Sequence, residues 1–307
     1  MKPLKYVHTF LLVLSLFKSA VGQPVHADSF LSEDTELHYL KAGSGPPIIL
    51  IHGFTDNASL CFQHALDSTG TNFISKLSEN YQVVALDVRG HGQSDKPTNA
   101  SQYGKELEED VIHLMDHLNL SKAHVVGYSM GAFISGNLVV DYPERLLSAT
   151  LIGGTPLTNS QFHPDHDLNL LLEEISEELA EGENITPLLE WFWPARAAKP
   201  SAEELEGINQ QVMEGQNTQA LQACIARLNE LFHVDDYKLL QSDIPVTLIN
   251  GTDDPLKNYI KPFQQTKRST SVLIEGANHM DILMYPSCLA TVEKTLELVK
   301  LQLSSIQ

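Results

Sequence analysis

The chain has 307 residues, of which 42% are hydrophobic, and it carries a formal net charge of −19 at pH 7. This length can bury a substantial core, so the composition excludes a fibrous or disordered chain and predicts one large domain or a domain with an insertion. Because no basic stretch interrupts the acidic sequence, a nucleic-acid partner is not expected.

The N-terminal segment is typical of a secretory signal peptide. Lys2 and Lys5 give it a basic start, residues 10–17 are mostly apolar, and residues 20–22 supply the small side chains that precede a cleavage point. The apolar core is too short to span a bilayer, which favours cleavage over retention as an anchor. We therefore predict that residues 1–22 are removed and that the mature protein is exported, to the periplasm or the medium, without a stable membrane anchor.

Short apolar segments alternate with segments of helical periodicity through the first half of the mature chain. Strands buried on both faces of a parallel sheet read as continuous apolar runs. The sequence predicts strands at 35–41, 48–51, 83–86, 123–126 and 146–152, and helices at 73–77, 107–118 and 132–140. This alternation predicts an α/β fold with a mostly parallel sheet.

The alternation stops between residues 156 and 241. This stretch is acidic and helix-like, and we expect no strand in it. One of its predicted helices has an apolar face at helical spacing, formed by Leu168, Leu171, Leu172, Ile175 and Leu179.

The strand pattern returns at 245–249 and 271–274, and a C-terminal helix follows. The stretch between residues 156 and 241, which interrupts the alternation, is therefore an insertion rather than a second autonomous domain. We predict a core formed by residues 23–155 and 242–307, with residues 156–241 inserted as a helical cap.

The pentapeptide Gly127-Tyr128-Ser129-Met130-Gly131 lies between a predicted strand and a predicted helix. Gly-x-Ser-x-Gly in this context is the nucleophile-elbow pattern, because a turn this tight requires flanking positions without side chains. The strained corner would expose the Ser129 hydroxyl, and the amides of the following helix would face an anion formed there. The alternative is an ordinary Gly/Ser-rich turn.

Four further motifs each follow a predicted strand: His52-Gly53-Phe54, residues 87–94, residues 251–255 and residues 276–279. Together with the pentapeptide, and in this order, they resemble the α/β-hydrolases over nearly the whole mature chain. The resemblance implies the α/β-hydrolase fold with an inserted helical cap. It also implies a catalytic triad in the chain order nucleophile, acid and histidine, here Ser129, Asp254 and His279.

The chemistry requires these residue types. A serine hydroxyl is a poor nucleophile near neutral pH, so an imidazole, here His279, must take its proton while a carboxylate orients the imidazole. Asp253 is adjacent to Asp254 and competes for the acid role, although the Gly-x-x-Asp-Pro pattern of the resembling family favours Asp254. Asp281 is predicted to begin a helix instead.

Two other histidines lie at the same edge of the predicted sheet. We expect His52 to be a structural hydrogen-bonding residue, because it belongs to the His-Gly motif. We expect His91 to brace its own loop, with Arg89 and Asp87 as partners.

A tetrahedral intermediate needs two hydrogen-bond donors for its oxyanion. The backbone N–H of Met130, immediately after the nucleophile, is the first candidate. The resemblance places the second donor on the residue after His-Gly, which is Phe54. The Phe54 side chain is also expected to line the pocket.

The identity of residue 129 narrows the range of reactions that the protein is expected to catalyse. The haloalkane dehalogenases and soluble epoxide hydrolases of this fold use aspartate at the elbow, so Ser129 favours acyl transfer to water. We predict a monomeric or weakly associated serine carboxylesterase for small to medium uncharged esters. Hydrolysis of a carbon–carbon bond in a vinylogous diketone, lactone hydrolysis, and a receptor-like ligand-binding role with slow turnover stay open.

Neither a metal ion nor an organic cofactor is expected. The three cysteines, Cys61, Cys224 and Cys288, are widely spaced and form neither a metal motif nor a dense disulfide framework. One disulfide would be compatible with an oxidising compartment, and the sequence does not specify the pair. Trp191 and Trp193 in the insertion are expected to line an apolar site or to pack in the cap core.

Overall fold

A computed structural model describes residues 23–163, 166–182, 184–194 and 196–304. The predicted signal peptide, residues 1–22, lies outside the described residues. Within the described ranges, no helix is both long and apolar enough to cross a membrane.

An eight-stranded sheet forms the centre of the structure, with the strand order β1-β2-β4-β3-β5-β6-β9-β10. Its first two strands pair antiparallel, β2 pairs antiparallel with β4, and the remaining neighbours are parallel. The mostly parallel α/β fold predicted from the sequence is therefore confirmed. The strands are β1 His26–Ser32, β2 Thr35–Ala42, β3 Pro47–Ile51, β4 Gln82–Leu86, β5 Ala123–Tyr128, β6 Leu146–Ile152, β9 Val246–Gly251 and β10 Ser269–Ile274.

Helices cover both faces of the sheet, which explains why its strands are apolar on both sides. In β3, Ile49 and Ile51 join the core beneath α3 (Glu106–His117) and α4 (Met130–Asp141). Its Ile48 joins the opposite core. The helices that line this opposite core are α1 Ala58–Phe62, α2 Phe73–Leu77 and α11 Pro286–Ser304.

The segment 156–241 is mostly helical, as predicted. Its helix α5 packs against α8, and α6 packs against α7. All five residues of the predicted apolar face are buried on α5. The helices of this segment are α5 Asp167–Glu181, α6 Thr186–Trp191, α7 Ala202–Met213, α8 Thr218–Leu228 and α9 Asp236–Gln241.

The expectation of no strand in this segment is wrong at two places. Strands β7 (Leu157–Thr158) and β8 (His233–Val234) pair in parallel as a separate two-stranded sheet. Two residues are too few to produce a hydrophobic pattern that sequence inspection can recognise. The pair ties the beginning of the insertion to its end.

Short helical turns complete the chain. They are the 3₁₀ turns Ala100–Gln102, Pro143–Arg145, Asn229–Leu231, Pro255–Asn258 and Ile282–Met284, and α10 Lys261–Gln264. The turn at Pro255–Asn258 follows β9, and the turn at Ile282–Met284 follows β10. Because parallel strands end at one edge of the sheet, the loops after β3, β5, β9 and β10 meet there.

Candidate active site

Ser129 lies at a strained corner between β5 and α4. Its backbone has φ 53° and ψ −116°, a conformation that non-glycine residues rarely adopt. A Cβ on Gly127 would lie 2.0 Å from the Gly131 carbonyl oxygen, and a Cβ on Gly131 would lie 2.1 Å from that of Ile51. The tight turn therefore requires glycine on both sides of Ser129.

A chain of hydrogen bonds connects the predicted nucleophile, base and acid. The Ser129 Oγ lies 2.9 Å from Nε2 of His279, and Nδ1 of His279 lies 3.0 Å from Oδ2 of Asp254. His279 is 2% exposed and Asp254 is fully buried. With the Asp254 carboxylate as acceptor, Nδ1 carries the proton and Nε2 accepts from the serine hydroxyl.

Asp254 is held in this position by its own loop. Its Oδ1 accepts a hydrogen bond from the backbone N–H of Leu256, at 2.8 Å, which leaves Oδ2 for His279. The neighbouring Asp253 instead forms an ion pair with Arg196 of the insertion, at 2.5 Å. The structure thus brings Asp254 to the imidazole and directs Asp253 towards the insertion.

The two candidate oxyanion segments both lie beside the nucleophile. A Cβ on Gly53 would come within 3.2 Å of the Ser129 Cβ, so the loop that continues into Phe54 passes close to it. Met130 is the first residue of α4, and the N–H groups of a helix's first turn have no partner within the helix. Phe54, Ser129 and Met130 line one cavity together.

His52 has the structural role predicted for it. Its Nδ1–H donates to the carbonyl oxygen of Gly53, at 2.7 Å, and its Nε2 accepts from the backbone N–H of Val88, at 3.0 Å. These bonds join the loop after β3 to the loop after β4.

His91 braces its loop through only one of the two predicted partners. Its Nδ1–H donates to the Arg89 carbonyl oxygen, at 3.0 Å, and burial lowers the pKa of His91 to about 3. The expectation of an Asp87 partner is wrong, because the Asp87 carboxylate pairs with His38 at 2.9 Å and accepts from the backbone N–H of Ala58 and Gln93. Because several nearby donors bind the Asp87 carboxylate, the closeness of Asp87 to His91 in the sequence does not determine the partner of Asp87.

Asp281 precedes the turn Ile282–Met284, as expected of a residue at a helix start. Its carboxylate accepts from both the backbone and the side-chain N–H of Asn278, each at 2.8 Å. This fixes the loop immediately before His279.

Two cavities meet at Ser129. The larger measures about 390 Å³, and the smaller, about 50 Å³, is apolar apart from Ser129. Ser129, Phe54, Leu188 and Phe192 line both. Because Leu188 and Phe192 belong to the insertion, this segment supplies part of the wall above the nucleophile.

Charged side chains are concentrated in the larger cavity, where Asp56, Lys96 and Glu214 contribute to the wall. Burial raises the pKa of Asp56, whose carboxylate accepts from the backbone N–H of Asn57 at 2.9 Å. The Lys96 ammonium donates to the carbonyl oxygens of Gly92 and Ser94 at 2.7 and 2.9 Å. Acidic groups thus outnumber basic ones, and the single lysine already has acceptors.

A comparison with protein-family models decides the classification. The model described as alpha/beta hydrolase fold matches residues 46–188, which include Phe54, Ser129 and Met130. The chain has the α/β-hydrolase fold. Across the part of this α/β hydrolase that the structure describes, no group of three or more His, Cys, Asp or Glu side chains could hold a metal ion.

Relatives of this α/β hydrolase include enzymes whose names contain a carboxylate compound, a succinate or a dienoate. It is 28% identical over 265 residues to an (E)-2-((N-methylformamido)methylene)succinate hydrolase of Acinetobacter baylyi, covering 83% of this chain and 92% of that protein. It is 33% identical over 131 residues to a 2-hydroxy-6-oxo-6-phenylhexa-2,4-dienoate hydrolase of Comamonas testosteroni, covering 43% and 44% of the two chains. The crystal structure of MGS-M2, an alpha/beta hydrolase from a deep-sea metagenome library, is 16% identical, with a TM-score of 0.72 over 88% of this chain and 97% of that one.

The three cysteines of this α/β hydrolase are free thiols, and all are buried. Burial raises the pKa of Cys224 and of Cys288 to about 12. Cys61 donates its thiol hydrogen to Asp56, and burial raises its pKa too. The disulfide left open by the sequence is absent among these residues.

Sequence inspection did not single out Phe192 or Asp56. Neither tryptophan lines the two cavities; Trp193 donates its indole N–H to the Ala198 carbonyl oxygen, at 3.0 Å. Phe192, between them, reaches the active-site histidine instead. Asp56 lies two residues after Phe54, so its position beside the predicted oxyanion loop was the signal that could have identified it.

Proposed function

We propose that the chain is a serine hydrolase that cleaves carboxylic esters of small to medium uncharged substrates through an acyl-enzyme. The observation that carries the proposal is the hydrogen-bonded series Ser129–His279–Asp254 at the junction of two cavities. An imidazole that accepts from a serine hydroxyl and donates to a buried carboxylate is arranged for general-base activation of that hydroxyl.

The mechanism has two halves. The Ser129 Oγ attacks the ester carbonyl carbon while His279 Nε2 takes its proton, and Asp254 stabilises the imidazolium that results. The N–H groups of Met130 and Phe54 stabilise the oxyanion. Collapse breaks the carbonyl–alkoxy bond, and His279 gives its proton to the departing alcohol. A water molecule then attacks the acyl-enzyme by the same route and releases the acid.

The charges of the larger cavity support an uncharged substrate. Asp56 and Glu214 face the space that a substrate must enter, and the Lys96 ammonium is already bound to two carbonyl oxygens. A carboxylate in this cavity would lose hydration without gaining an unengaged cation. Succinate- or dienoate-like substrates of the kind named for the two relatives are therefore disfavoured.

Carbon–carbon bond hydrolysis is the second candidate. The name of the Comamonas testosteroni relative describes a 6-oxo dienoate, a ketone whose cleavage would use the same three side chains. The identity of 33% covers less than half of each chain, and the acidic wall of the larger cavity disfavours the carboxylate of a dienoate, so this candidate ranks second.

Replacing the nucleophile tests both candidates. In Ser129→Ala we expect turnover of p-nitrophenyl butyrate and labelling by a fluorophosphonate probe to be lost. In Ser135→Ala, a matched control on α4 whose buried hydroxyl has no hydrogen-bond partner in the described structure, we expect both to persist. Full ester turnover by Ser129→Ala would refute the mechanism.

The substrate class is tested on the unaltered protein. We expect p-nitrophenyl butyrate to be hydrolysed faster than its carboxylate-bearing analogue, p-nitrophenyl hemisuccinate. Consumption of a 6-oxo dienoate by a protein inert towards esters would favour the carbon–carbon candidate. Binding of either compound without turnover or labelling would identify a receptor-like protein.

Export is also proposed, on the basic start and apolar core of residues 1–22.

A further inference from the structure

The aromatic ring of Phe192 lies flat against the His279 imidazole. The ring centroids are 3.7 Å apart and the planes differ by 12°. Phe192 follows α6 in the insertion and is 6% exposed. Its other neighbour is Trp191, whose ring is nearly perpendicular at 4.9 Å. A side chain of the insertion is thus in direct contact with the proposed base.

The core also holds the histidine. The Tyr128 hydroxyl donates to the His279 carbonyl oxygen at 2.8 Å. Gly153 lies beside the imidazole, since a Cβ there would be 3.3 Å from two of its ring atoms. The core therefore fixes the His279 backbone and packs beside its imidazole, and Phe192 covers a face of the ring.

This covered face matters when the imidazole becomes charged. Its conversion to imidazolium accompanies serine attack. The face of an aromatic ring carries partial negative charge and attracts a cation within about 6 Å, most strongly where water is excluded. Asp254 stabilises the same charge from the Nδ1 edge, at 3.0 Å. The two contacts reach the imidazolium from different directions, so neither substitutes for the other.

We propose that Phe192 is a positioning residue for His279: its ring holds the imidazole in the plane that joins Ser129 to Asp254, and its π face stabilises the imidazolium. The insertion thereby completes the proton-transfer machinery as well as forming the cavity wall. This inference rests on the proposed hydrolase function, since it requires His279 to act as a base.

A fluorinated phenylalanine series at position 192 tests the proposal. Successive fluorines, introduced as 4-fluoro-, 3,4,5-trifluoro- and pentafluorophenylalanine, remove the negative charge of the ring face with little change in its shape. We expect kcat/KM for p-nitrophenyl butyrate to fall progressively, by about 3- to 30-fold in total, with the change in kcat rather than KM. The fluorophosphonate labelling rate should fall in parallel.

Phe73 provides the matched control. It is fully buried, packs against Phe62 at 6.0 Å, and lines neither cavity. The same series at Phe73 should leave kcat/KM unchanged. Among natural substitutions, Phe192→Tyr should retain kcat/KM, and Phe192→Leu should lower it by about 3- to 30-fold, at equal urea unfolding midpoints.

The outcomes separate this inference from the proposed function. Equal kcat/KM across the series, in a protein that hydrolyses the ester and is labelled at Ser129, would overturn the role of Phe192 and leave the hydrolase assignment intact. Absence of ester turnover and labelling in the unaltered protein would overturn the proposed function itself.

Discussion

Two adjacent carboxylates, Asp253 and Asp254, have different partners in the folded chain. Asp254 is fully buried and contacts His279. Asp253 instead pairs with Arg196, whose side chain is 63% exposed. We expect Asp254→Asn to lower kcat/KM for p-nitrophenyl butyrate by about 10³-fold or more, because an amide favours the wrong imidazole tautomer. The matched variant Asp253→Asn should change it by less than about 10-fold, because exposed ion pairs contribute little. The reverse order would reassign the acid.

The sequence predicted Ser129, His279 and Asp254 because each follows a strand at the same edge of a parallel sheet, and the structure brings them together. It did not predict the contact of Phe192 with His279. That contact depends on how the insertion packs over the core, which local patterns do not encode. The partner of Asp87 was missed because several donors lie within reach of one carboxylate.

At the level of elements, the corner between β5 and α4 depends on close backbone packing. Gly131→Ala would place a Cβ 2.1 Å from the Ile51 carbonyl oxygen, and backbone cannot move aside as a flexible side chain can. We expect a loss of about 1–3 kcal/mol in unfolding free energy, with loss of ester turnover as the loop after β3 shifts. Urea unfolding and kcat/KM measure the two effects.

Gly207→Ala is the matched glycine substitution. Gly207 lies within α7, and a Cβ there would have no heavy atom within 4 Å. Alanine in an exposed helix should stabilise the protein by up to about 1 kcal/mol and leave turnover unchanged. Similar losses in both variants would show that the elbow has no special steric requirement.

Element prediction succeeded where a strand has a recognisable apolar pattern and failed where it has none. The strands β3 and β5 are mostly apolar and are buried inside the sheet, with His124 as the polar exception in β5, and both were predicted. The edge strand β1 was missed, because most of its residues are exposed and only Phe30 and Ser32 are buried. The β7–β8 pair was missed because its strands have two residues each.

For the molecule as a whole, buried ionisable groups make stability depend on pH. Burial lowers the pKa of His124 from its ordinary value of 6.5 to about 4. Between these values the unfolded chain binds more protons, so His124 lowers stability as the pH falls. Burial raises the pKa of Glu108 from its ordinary value of 4.5 to about 7. Between pH 4.5 and pH 7 the folded chain binds more protons than the unfolded chain, so the stability that Glu108 contributes is lost as the pH rises through 7.

These opposite signs predict opposite effects of two substitutions. His124 and Glu108 are each 2% exposed, so solvent screens neither strongly. We compare how much the unfolding free energy changes when the pH is lowered from about 7.5 to about 5.5. For His124→Asn, the unfolding free energy should fall by about 1 kcal/mol less than it does for the unaltered protein. For Glu108→Gln, it should fall by about 2 kcal/mol more than it does for the unaltered protein. Urea unfolding at both pH values measures these differences, in which any pH-independent cost of each substitution cancels. Equal pH dependence in all three proteins would mean that neither group changes its proton affinity on folding.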